Sequence, residues 1–508
     1  MSGREGCTGW NPRESLASRE IPGRYDPAGI DQGGFFRYHA PMHAQKSSFI
    51  DPETLLKRFL RYTRVGTQSD RHRAESMTPS TDGQWTLIRM LEQELKSLGV
   101  PEIEVTAHGF VILRFDSNLA PDTQDISLSP LRDPSQPPAG DPSQDPPLHP
   151  LQDPSQPPAA DPLRAFAPSG DPKGIAFIAH VDTASDVPGD PVRPVVHSPY
   201  KGGKIILSQG VELDPAVNES LKRYVGDTII TSDGTTLLGA DDKAGVSELV
   251  SAIEYLVTHP EYPHGPVEFI FTPDEETGKG MERFPLDRIQ AKVAYTLDGE
   301  GEGTVEYECF NAYRVIVLCK GVGAHLGYAR GKLVNAVSMA SSFVSFLPRS
   351  ESPESTDGSY GYYCPLEIEG NVSEAKVEIF LRDYEMGEIH RRIHTLEAIA
   401  RAVEGAFPGG KVTLTVEKQY LNMREAFTQD PRIVQFLDEA IRATGIEPVH
   451  KSIRGGTDGA RLTELGIPTP NMFAGGSNFH SLTEWVPLSA MVRAAEVVIH
   501  LIRLWANG

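Results

Sequence analysis

Four short apolar runs, each leading into acidic or imidazole side chains, constrain the fold of this chain most. GIAFIA ends at His180, TIIT comes before the LLGADDKAG stretch with Asp241, VEFIFT comes before Glu275 and Glu276, and VAYTL ends at Asp298. Such runs are typical of buried parallel strands, and a helical pattern follows the second of them. Because ligands bind at the carboxyl edge of open α/β sheets, we expect an α/β domain with one site at that edge.

A second pattern, from about 309 to 422, predicts a separate smaller domain. Strand and helix patterns follow one another there in the order βαββαβ, which matches the ferredoxin-like motif. We therefore expect the main domain to consist of 49–308 and 423–508, with 309–422 inserted into it. Residues 1–48 lack helical or strand periodicity and predict a flexible N-terminal extension, with translation starting near Met42 as the alternative explanation.

The composition changes abruptly to Pro, Asp, Ser and Gln over 117–171. The unit PLRDPSQPPAGDP, which begins at Pro130, recurs as PLQDPSQPPAADP from Pro150. Proline at this density removes backbone donors and disfavours helix, so we expect a disordered, extended insert at the surface. It could dock a proline-binding partner, but a tolerated loop expansion is favoured because lengthening a loop adds only a logarithmic entropy term.

The charge and the cysteines exclude several classes of protein. With 48 Lys and Arg against 69 Asp and Glu, the formal charge is -21, which opposes binding to nucleic acid or to anionic membranes. The four cysteines show no CxxC spacing and predict neither a disulfide framework nor a cysteine zinc site. No apolar run approaches the roughly 18 residues of a membrane span, so a cytoplasmic protein without membrane or nucleic-acid partners is expected.

The acidic and imidazole residues match the ligand chemistry of a two-zinc hydrolase. Zinc takes about four ligands from imidazole, carboxylate and water, and a carboxylate between two ions serves both. Three carboxylates against two dications leave a net positive centre that acidifies a bridging water. The predicted zinc ligands are His180, Asp241, Glu276, Asp298 and His480, with Asp241 as the bridge and its neighbour Asp242 supporting the turn.

Two further acids next to these ligands match catalytic roles. Asp182 shares a strand face with His180, where its carboxylate can accept the imidazole N–H and fix the tautomer. Glu275 is the predicted general base, which takes a proton from water and passes it to the leaving amine. Each motif alone is common, but their joint occurrence in this order favours a hydrolase site.

Several segments resemble a known enzyme family. HVDTASD, LLGADDKAG, FTPDEETGKG, YTLDGEG, IRGGTDGARL and NFH closely resemble signature segments of the tripeptide aminopeptidases in the dinuclear-zinc peptidase family. The similarity covers about 49–504 except for the proline-rich insert. The resemblance implies a zinc-peptidase catalytic domain with an inserted lid or dimerisation domain. It also implies the same five ligands and catalytic pair, and the release of the N-terminal residue from short peptides, chiefly tripeptides.

The resemblance implies roles for three more residues. His325 lies where the family has a histidine that stabilises the oxyanion of the tetrahedral intermediate, although the usual HPG is HLG here. Arg454 is expected to hold the peptide carboxylate through two hydrogen bonds, with a structural arginine as the alternative. Asn335 resembles a lid asparagine at the substrate site, and a helix N-cap is its alternative.

The sequence leaves three functions open. A zinc-dependent aminopeptidase acting on tripeptides is favoured, with two Zn²⁺ per subunit, for which Co²⁺ or Mn²⁺ could substitute. One alternative is a dipeptidase or an N-acyl-amino-acid deacylase on the same scaffold. The other is a non-catalytic protein that recruits a partner through its proline repeats, which the complete set of ligands and base argues against. Both a monomer and a homodimer formed through the lid domain are compatible with the sequence.

Overall fold

The computed structural model describes residues 49–119 and 174–507. The predicted N-terminal extension and all of the proline-rich insert beyond Leu119 lie outside the described residues, so these two predictions stay untested. The described ranges alternate between helices and strands, as the periodicity of the sequence predicts.

The helices and strands of the described residues are numbered in chain order. The helices are α1 (Pro52–Tyr62), α2 (Arg71–Ala74), α3 (Asp82–Leu98), α4 (Ala240–Thr258), α5 (Ala336–Ser345), α6 (Met386–Ala406), α7 (Arg432–Ala443), α8 (Asp458–Glu464) and α9 (Leu488–Asn507). The strands are β1 (Ile103–Val105), β2 (Val111–Phe115), β3 (Ile175–His180), β4 (Val195–His197), β5 (Ile205–Ile206), β6 (Glu212–Leu213), β7 (Ile229–Thr231), β8 (Val267–Thr272), β9 (Val293–Gly299), β10 (Thr304–Cys309), β11 (Asn311–Lys320), β12 (Tyr362–Gly370), β13 (Glu374–Asp383), β14 (Lys411–Tyr420), β15 (Val449–Ile453), β16 (Asn471–Phe473) and β17 (Trp485–Pro487). None of the helices in these described ranges combines the length and apolar character that crossing a membrane requires.

An eight-stranded mixed sheet, in the order β1-β2-β8-β3-β9-β16-β10-β15, is the centre of the larger part. Strands β8, β3 and β9 run parallel to one another, and every residue of β3 and β8 is buried, as their apolar sequences predict. Their carboxyl ends therefore lie at one edge of the sheet. Helices α1, α4, α7 and α9 cover one face, where most of the apolar core lies.

The two chain ends that flank the insert lie at the opposite edge of this sheet. Phe115, the last residue of β2, and Ile175, the first residue of β3, both pair with Val267 at the start of β8. Two strand spacings of about 4.8 Å place the flanks about 10 Å apart. His180 lies at the other end of β3.

One strand differs from the expected arrangement. The run before Asp241 forms β7, which pairs with β4 and β17 in a separate three-stranded sheet instead of joining the central sheet. A small apolar cluster that includes the fully buried Trp485 gives this sheet a core of its own. Asp241 therefore reaches the central edge from the first turn of α4, where its φ and ψ are not helical.

The βαββαβ prediction is confirmed. Strands β11 to β14 form an antiparallel sheet in the order β12-β13-β11-β14, with α5 and α6 packed on it around a second apolar cluster. This strand order is that of the ferredoxin-like motif, and the α/β class with an inserted ferredoxin-like sheet is confirmed with it. Because this sheet has a core of its own, we propose 309–422 as a separate lid domain between the two parts of the catalytic domain, 49–308 and 423–508.

Candidate active site

The first part of the site lies where β3 ends. The ring of His180 is buried, and its Nδ1 lies 3.1 Å from the backbone oxygen and 3.4 Å from Oδ1 of Asp182. The Asp182 carboxylate also accepts hydrogen bonds from the backbone amides of Glu275, at 3.0 Å, and Glu276, at 3.1 Å. One fully buried carboxylate thus orients the imidazole of β3 and holds the turn that follows β8.

Asp241 lies between the two predicted histidine ligands. Its Oδ1 is 2.9 Å from Nε2 of His180, and its Oδ2 is 3.2 Å from Nε2 of His480. The two oxygens of one carboxylate thus face two different imidazoles. A carboxylate that bridges two metal ions has this arrangement.

Each histidine also faces one further acid. Asp298, near the end of β9, has its Oδ1 3.6 Å from Nε2 of His180, and Glu276 has its Oε1 3.1 Å from Nε2 of His480. Glu275 belongs to the same cluster, because it presents an oxygen within 4.8 Å of ligand atoms of both His180 and Asp298. The structure therefore brings together all five predicted ligands and both predicted catalytic acids.

Local contacts explain how the first turn of α4 reaches this edge. Asp242 is fully buried and accepts hydrogen bonds from the backbone amides of His180 and Gly245, each at 3.1 Å. A Cβ at Gly245 would lie 2.5 Å from the backbone oxygen of Leu297, so only glycine allows α4 to approach β9 so closely. The close approach sets Asp241 beside Asp298, the residue after Leu297.

Burial raises the pKa of several acids of the site, but at Asp241 the two histidines outweigh burial and hold the pKa below its usual range. Burial raises the pKa of Asp298 to about 6 and the pKa of Glu276 to about 7, and it raises the pKa of Glu275 well above its usual range. Burial alone would lower the pKa of His480, but the carboxylates of Asp241 and Glu276 raise it to about 12. The negative charge of the cluster thus favours a proton, or another cation, on its imidazoles.

The donor set fits zinc. Among the described residues, no Lys or Arg forms an ion pair with Asp241, Glu275, Glu276 or Asp298. The ion-pair partners of Asp241, Glu276 and Asp298 are the two histidines. Buried carboxylates without a cation are unfavourable, and imidazole nitrogen with carboxylate oxygen is a donor set that Zn²⁺ takes. Two dications held at this cluster would neutralise it.

The three residues outside the cluster are engaged elsewhere. His325 is exposed, and its Nδ1 accepts a hydrogen bond from the backbone amide of Gly327. Asn335 caps α5, with its Oδ1 2.9 Å from the amide nitrogen of Val337. Arg454 donates to the backbone oxygens of Thr356, Gly358 and Tyr360 and to the Thr356 hydroxyl. In the described residues, none of the three contacts the ligand cluster.

Three acids that the sequence did not single out also support the site. The Oδ2 atom of Asp186 lies 3.1 Å from Nδ1 of His480, and Asp458 accepts a hydrogen bond of 2.6 Å from the Thr272 hydroxyl at the end of β8. Glu484 accepts backbone amides of the turn that carries Asp241. Asp186 lies in HVDTASD and could have been found there, whereas no periodicity or spacing marks Glu484.

Comparison with known proteins agrees with this geometry. The sequence profile of peptidase family M20/M25/M40 matches residues 233–504. Peptidase T of Geobacillus thermodenitrificans is 39% identical over 456 residues, which are 89% of this chain and 98% of that protein. The match thus extends over nearly the whole relative.

Solved structures show the same fold. Aminopeptidase PepT from Bacillus cereus superposes with a TM-score of 0.60 at 22% identity, covering 91% of this chain and 100% of that one. A dinuclear metal binding peptidase of family M20 from Bacillus subtilis gives a TM-score of 0.53 at 12% identity, covering 90% and 98%. With the sequence match, the central sheet and the inserted ferredoxin-like sheet, the chain belongs to peptidase family M20/M25/M40.

Proposed function

We propose that this protein is a zinc-dependent aminopeptidase that releases the N-terminal residue of tripeptides. The observation that carries the proposal is Asp241, whose two carboxylate oxygens face Nε2 of two different histidines. The relative named Peptidase T and the structural neighbour named an aminopeptidase support the substrate class. The neighbour described as dinuclear supports a pair of ions.

The cluster supplies ligands for two ions. His180 and Asp298 would hold one ion and His480 and Glu276 the other, with Asp241 shared between them. When bound, zinc polarises a carbonyl group and lowers the pKa of water. Co²⁺ and Mn²⁺ accept the same nitrogen and oxygen donors and could replace zinc.

Glu275 is proposed as the general base. Its carboxylate takes a proton from the water that attacks the peptide carbonyl, and then donates that proton to the nitrogen of the leaving dipeptide. Burial raises the pKa of Glu275 above its usual range, which strengthens the carboxylate as a proton acceptor. Asp182 accepts a hydrogen bond from the backbone amide of Glu275 and so fixes the backbone position from which the Glu275 side chain extends.

The remaining proposed roles require the lid to move. His325 is exposed on the lid and would donate to the oxyanion only after closure brings it to the substrate. Arg454 holds the 356–360 segment of the lid by four hydrogen bonds, and would exchange some of these acceptors for the substrate carboxylate. For Asn335, the N-cap of α5 is the role that its hydrogen bond supports.

One experiment tests the function directly. Purified protein is loaded with zinc, its metal content is measured, and release of the N-terminal residue is followed for a tripeptide, a dipeptide and an N-acetylated amino acid. We expect two zinc ions per chain and the highest kcat/KM for the tripeptide. Preference for the acetylated amino acid would instead assign a deacylase, and preference for the dipeptide a dipeptidase.

Assembly and location are separate proposals. We propose a monomer or a homodimer through the lid domain, and light scattering on the purified protein distinguishes the two. A cytoplasmic location is supported by the unpaired thiols of Cys309, Cys319 and Cys364, since free cysteines persist in a reducing compartment. Fractionation of cells that produce the protein tests this location.

A further inference from the structure

Glu484 is a buried acid whose carboxylate faces the turn that carries Asp241. Its side chain is 1% exposed, and its carboxylate accepts three backbone amides of one turn. Oε2 accepts from Leu238 at 2.7 Å and Gly239 at 2.9 Å, while Oε1 accepts from Asp241 at 3.1 Å. These amides belong to the turn that presents Asp241 to both histidines.

The same acid also connects this turn to His480. Backbone hydrogen bonds between Ser477 and Trp485, at 2.9 and 3.1 Å, close a short loop. Both His480 and Glu484 lie inside that loop. The position of the Asp241 turn is therefore set relative to the loop that carries His480, through one side chain.

We propose that Glu484 is a positioning residue, which fixes the Asp241 carboxylate between the rings of His180 and His480. The inference rests on the proposed function, because it assigns Glu484 to the bridge of that site. Three N–H donors need two acceptor oxygens at once, and a carboxylate supplies both without carrying a hydrogen atom of its own. Asp182 likewise uses both carboxylate oxygens to accept hydrogen bonds from the backbone amides of Glu275 and Glu276.

A buried lysine lies near both carboxylates. Lys243 is fully buried, and burial lowers its pKa to about 7 although the charges of Glu484 and Asp182 oppose that shift. Its Nζ donates to the backbone oxygen of Val65 at 2.8 Å. The turn with Asp241 and the turn with Glu275 are thus each held by an acid, and one lysine lies near both.

The amide isostere Glu484→Gln separates positioning from packing. Gln keeps the shape of Glu but has one acceptor oxygen and one NH₂ group, so either the Asp241 amide or the Leu238 and Gly239 amides must face a donor. The turn then has to shift, and Asp241 with it. Partners of this kind typically change metal affinity by about 10–100-fold.

Glu268 offers a matched control at the other end of the sheet. It is 4% exposed, and its Oε2 accepts the backbone amides of Gln290 at 3.0 Å and Ala291 at 2.8 Å. Its Oε1 accepts from Arg114. Glu268→Gln therefore disturbs a buried carboxylate on backbone amides without touching the ligand cluster.

The test measures zinc affinity by competition with a chelator, and thermal unfolding of the metal-free proteins. We expect Glu484→Gln to weaken the binding of at least one zinc ion by about 10–100-fold, and Glu268→Gln to bind both ions as the parent does. If Glu484→Gln does not fold, Glu484→Asp keeps the charge but shortens the reach, and the same loss of affinity is expected.

Two results would overturn the inference. One is unchanged zinc affinity in a folded Glu484→Gln or Glu484→Asp variant. The other is an equal loss of affinity in Glu268→Gln, which would mean that general destabilisation is responsible. A parent protein that binds two zinc ions but does not cleave tripeptides would refute the proposed function alone, since the affinities still decide the role of Glu484.

Discussion

Acidic side chains are buried in two regions of this molecule, and the two regions neutralise them differently. In the lid, Asp383 accepts a 2.6 Å hydrogen bond from Arg392, and both side chains are less than 10% exposed. Glu378 pairs with Arg314 of the neighbouring strand and with Arg71 of the catalytic domain. At the carboxyl edge of the central sheet, by contrast, Asp241, Glu276 and Asp298 have only histidines as ion-pair partners in the described residues.

The contrast separates charges that stabilise the fold from charges kept for a ligand. The charge of an acid that pairs with arginine is balanced within the chain. Removing the acid therefore leaves the charge of the arginine uncompensated. The acids of the site lack such a partner and raise the free energy of the metal-free fold. Functional sites commonly carry this kind of stability cost. Substitutions in the two regions should therefore have different and partly opposite effects.

The largest effect is expected at Glu275. Glu275→Ala removes the proposed base and should lower kcat by about 10²–10⁴-fold, while two zinc ions remain bound. Steady-state kinetics and metal analysis on the same sample measure both. Glu282→Ala changes an exposed acid seven residues further along the chain, and this control should keep full activity. Full activity in Glu275→Ala would refute the assignment of the base.

The next comparison is between the adjacent aspartates of the α4 turn. Asp241→Asn removes the shared ligand and should weaken zinc binding by more than the roughly 10–100-fold typical of supporting residues. Asp242→Asn keeps an acceptor for the His180 amide and should reduce affinity far less. Chelator competition gives both values. Equal losses would mean that the two residues share the bridging role.

In the lid, Asp383→Asn should act on stability alone. The change removes the most buried acid partner of Arg392 and leaves it with Glu351, at 3.0 Å, and Glu388, at 3.8 Å. Loss of a buried partner costs about 3–5 kcal/mol at most, so the free energy of unfolding should fall by up to that amount. Glu388→Gln disturbs a half-exposed pair with Arg391 and only this longer contact with Arg392, and should lower it by only about 0–1 kcal/mol. Denaturant titration measures both variants. Zinc affinity that changed in Asp383→Asn would contradict the separation of the two regions.

The opposite sign is expected at the site. Asp298→Asn removes a buried carboxylate that has no Lys or Arg partner among the described residues and faces only His180, at 3.6 Å. The metal-free variant should therefore be more stable than the metal-free parent by about 0.5–2 kcal/mol. The same variant should bind zinc more weakly. Denaturant titrations in the presence of a chelator measure the first effect. A destabilised metal-free variant would show that Asp298 contributes to the fold as well as to the ligand set.

Most ligands of the site could be predicted from the sequence because they follow short apolar strands whose ends meet at one edge of the sheet. His180 and Asp298 could be predicted in this way, and the structure places both there. The sequence also predicts that β7 belongs to the central sheet. The structure instead places β7 in another sheet, where it packs on a separate apolar cluster around Trp485. Glu484 was missed because its contacts join residues more than 240 positions apart, which no local pattern records.

The contacts of Arg454 also could not be predicted from the sequence. The motif IRGGTDGARL marks the residue, but its acceptors are backbone oxygens of the 356–360 segment, and any residue type presents such an oxygen. Asn335 shows the converse. Its position before an apolar helix pattern predicts an N-cap from local chemistry alone, and the hydrogen bond to Val337 matches that alternative.

The smallest effect is expected from the proline-rich insert. Its flanks lie at the edge of the sheet opposite His180, so removal of 120–170 should leave kcat/KM within a few-fold of the parent value. Asn118 should be kept, because its side chain hydrogen-bonds the backbone of Pro260, Tyr262 and His264. Peptidase assays on the shortened protein measure the change. A much larger loss in a folded protein would mean that the insert shapes the site.

The pairing of Phe115 and Ile175 with the same residue, Val267, also has a practical consequence. Two chain ends about 10 Å apart, on the far side of the sheet from the chemistry, form a suitable attachment point for a foreign polypeptide. A fluorescent protein or a purification tag whose own termini are close together could replace the insert there. Such a chimera would report the location and amount of the enzyme while both natural ends of the chain stay untouched.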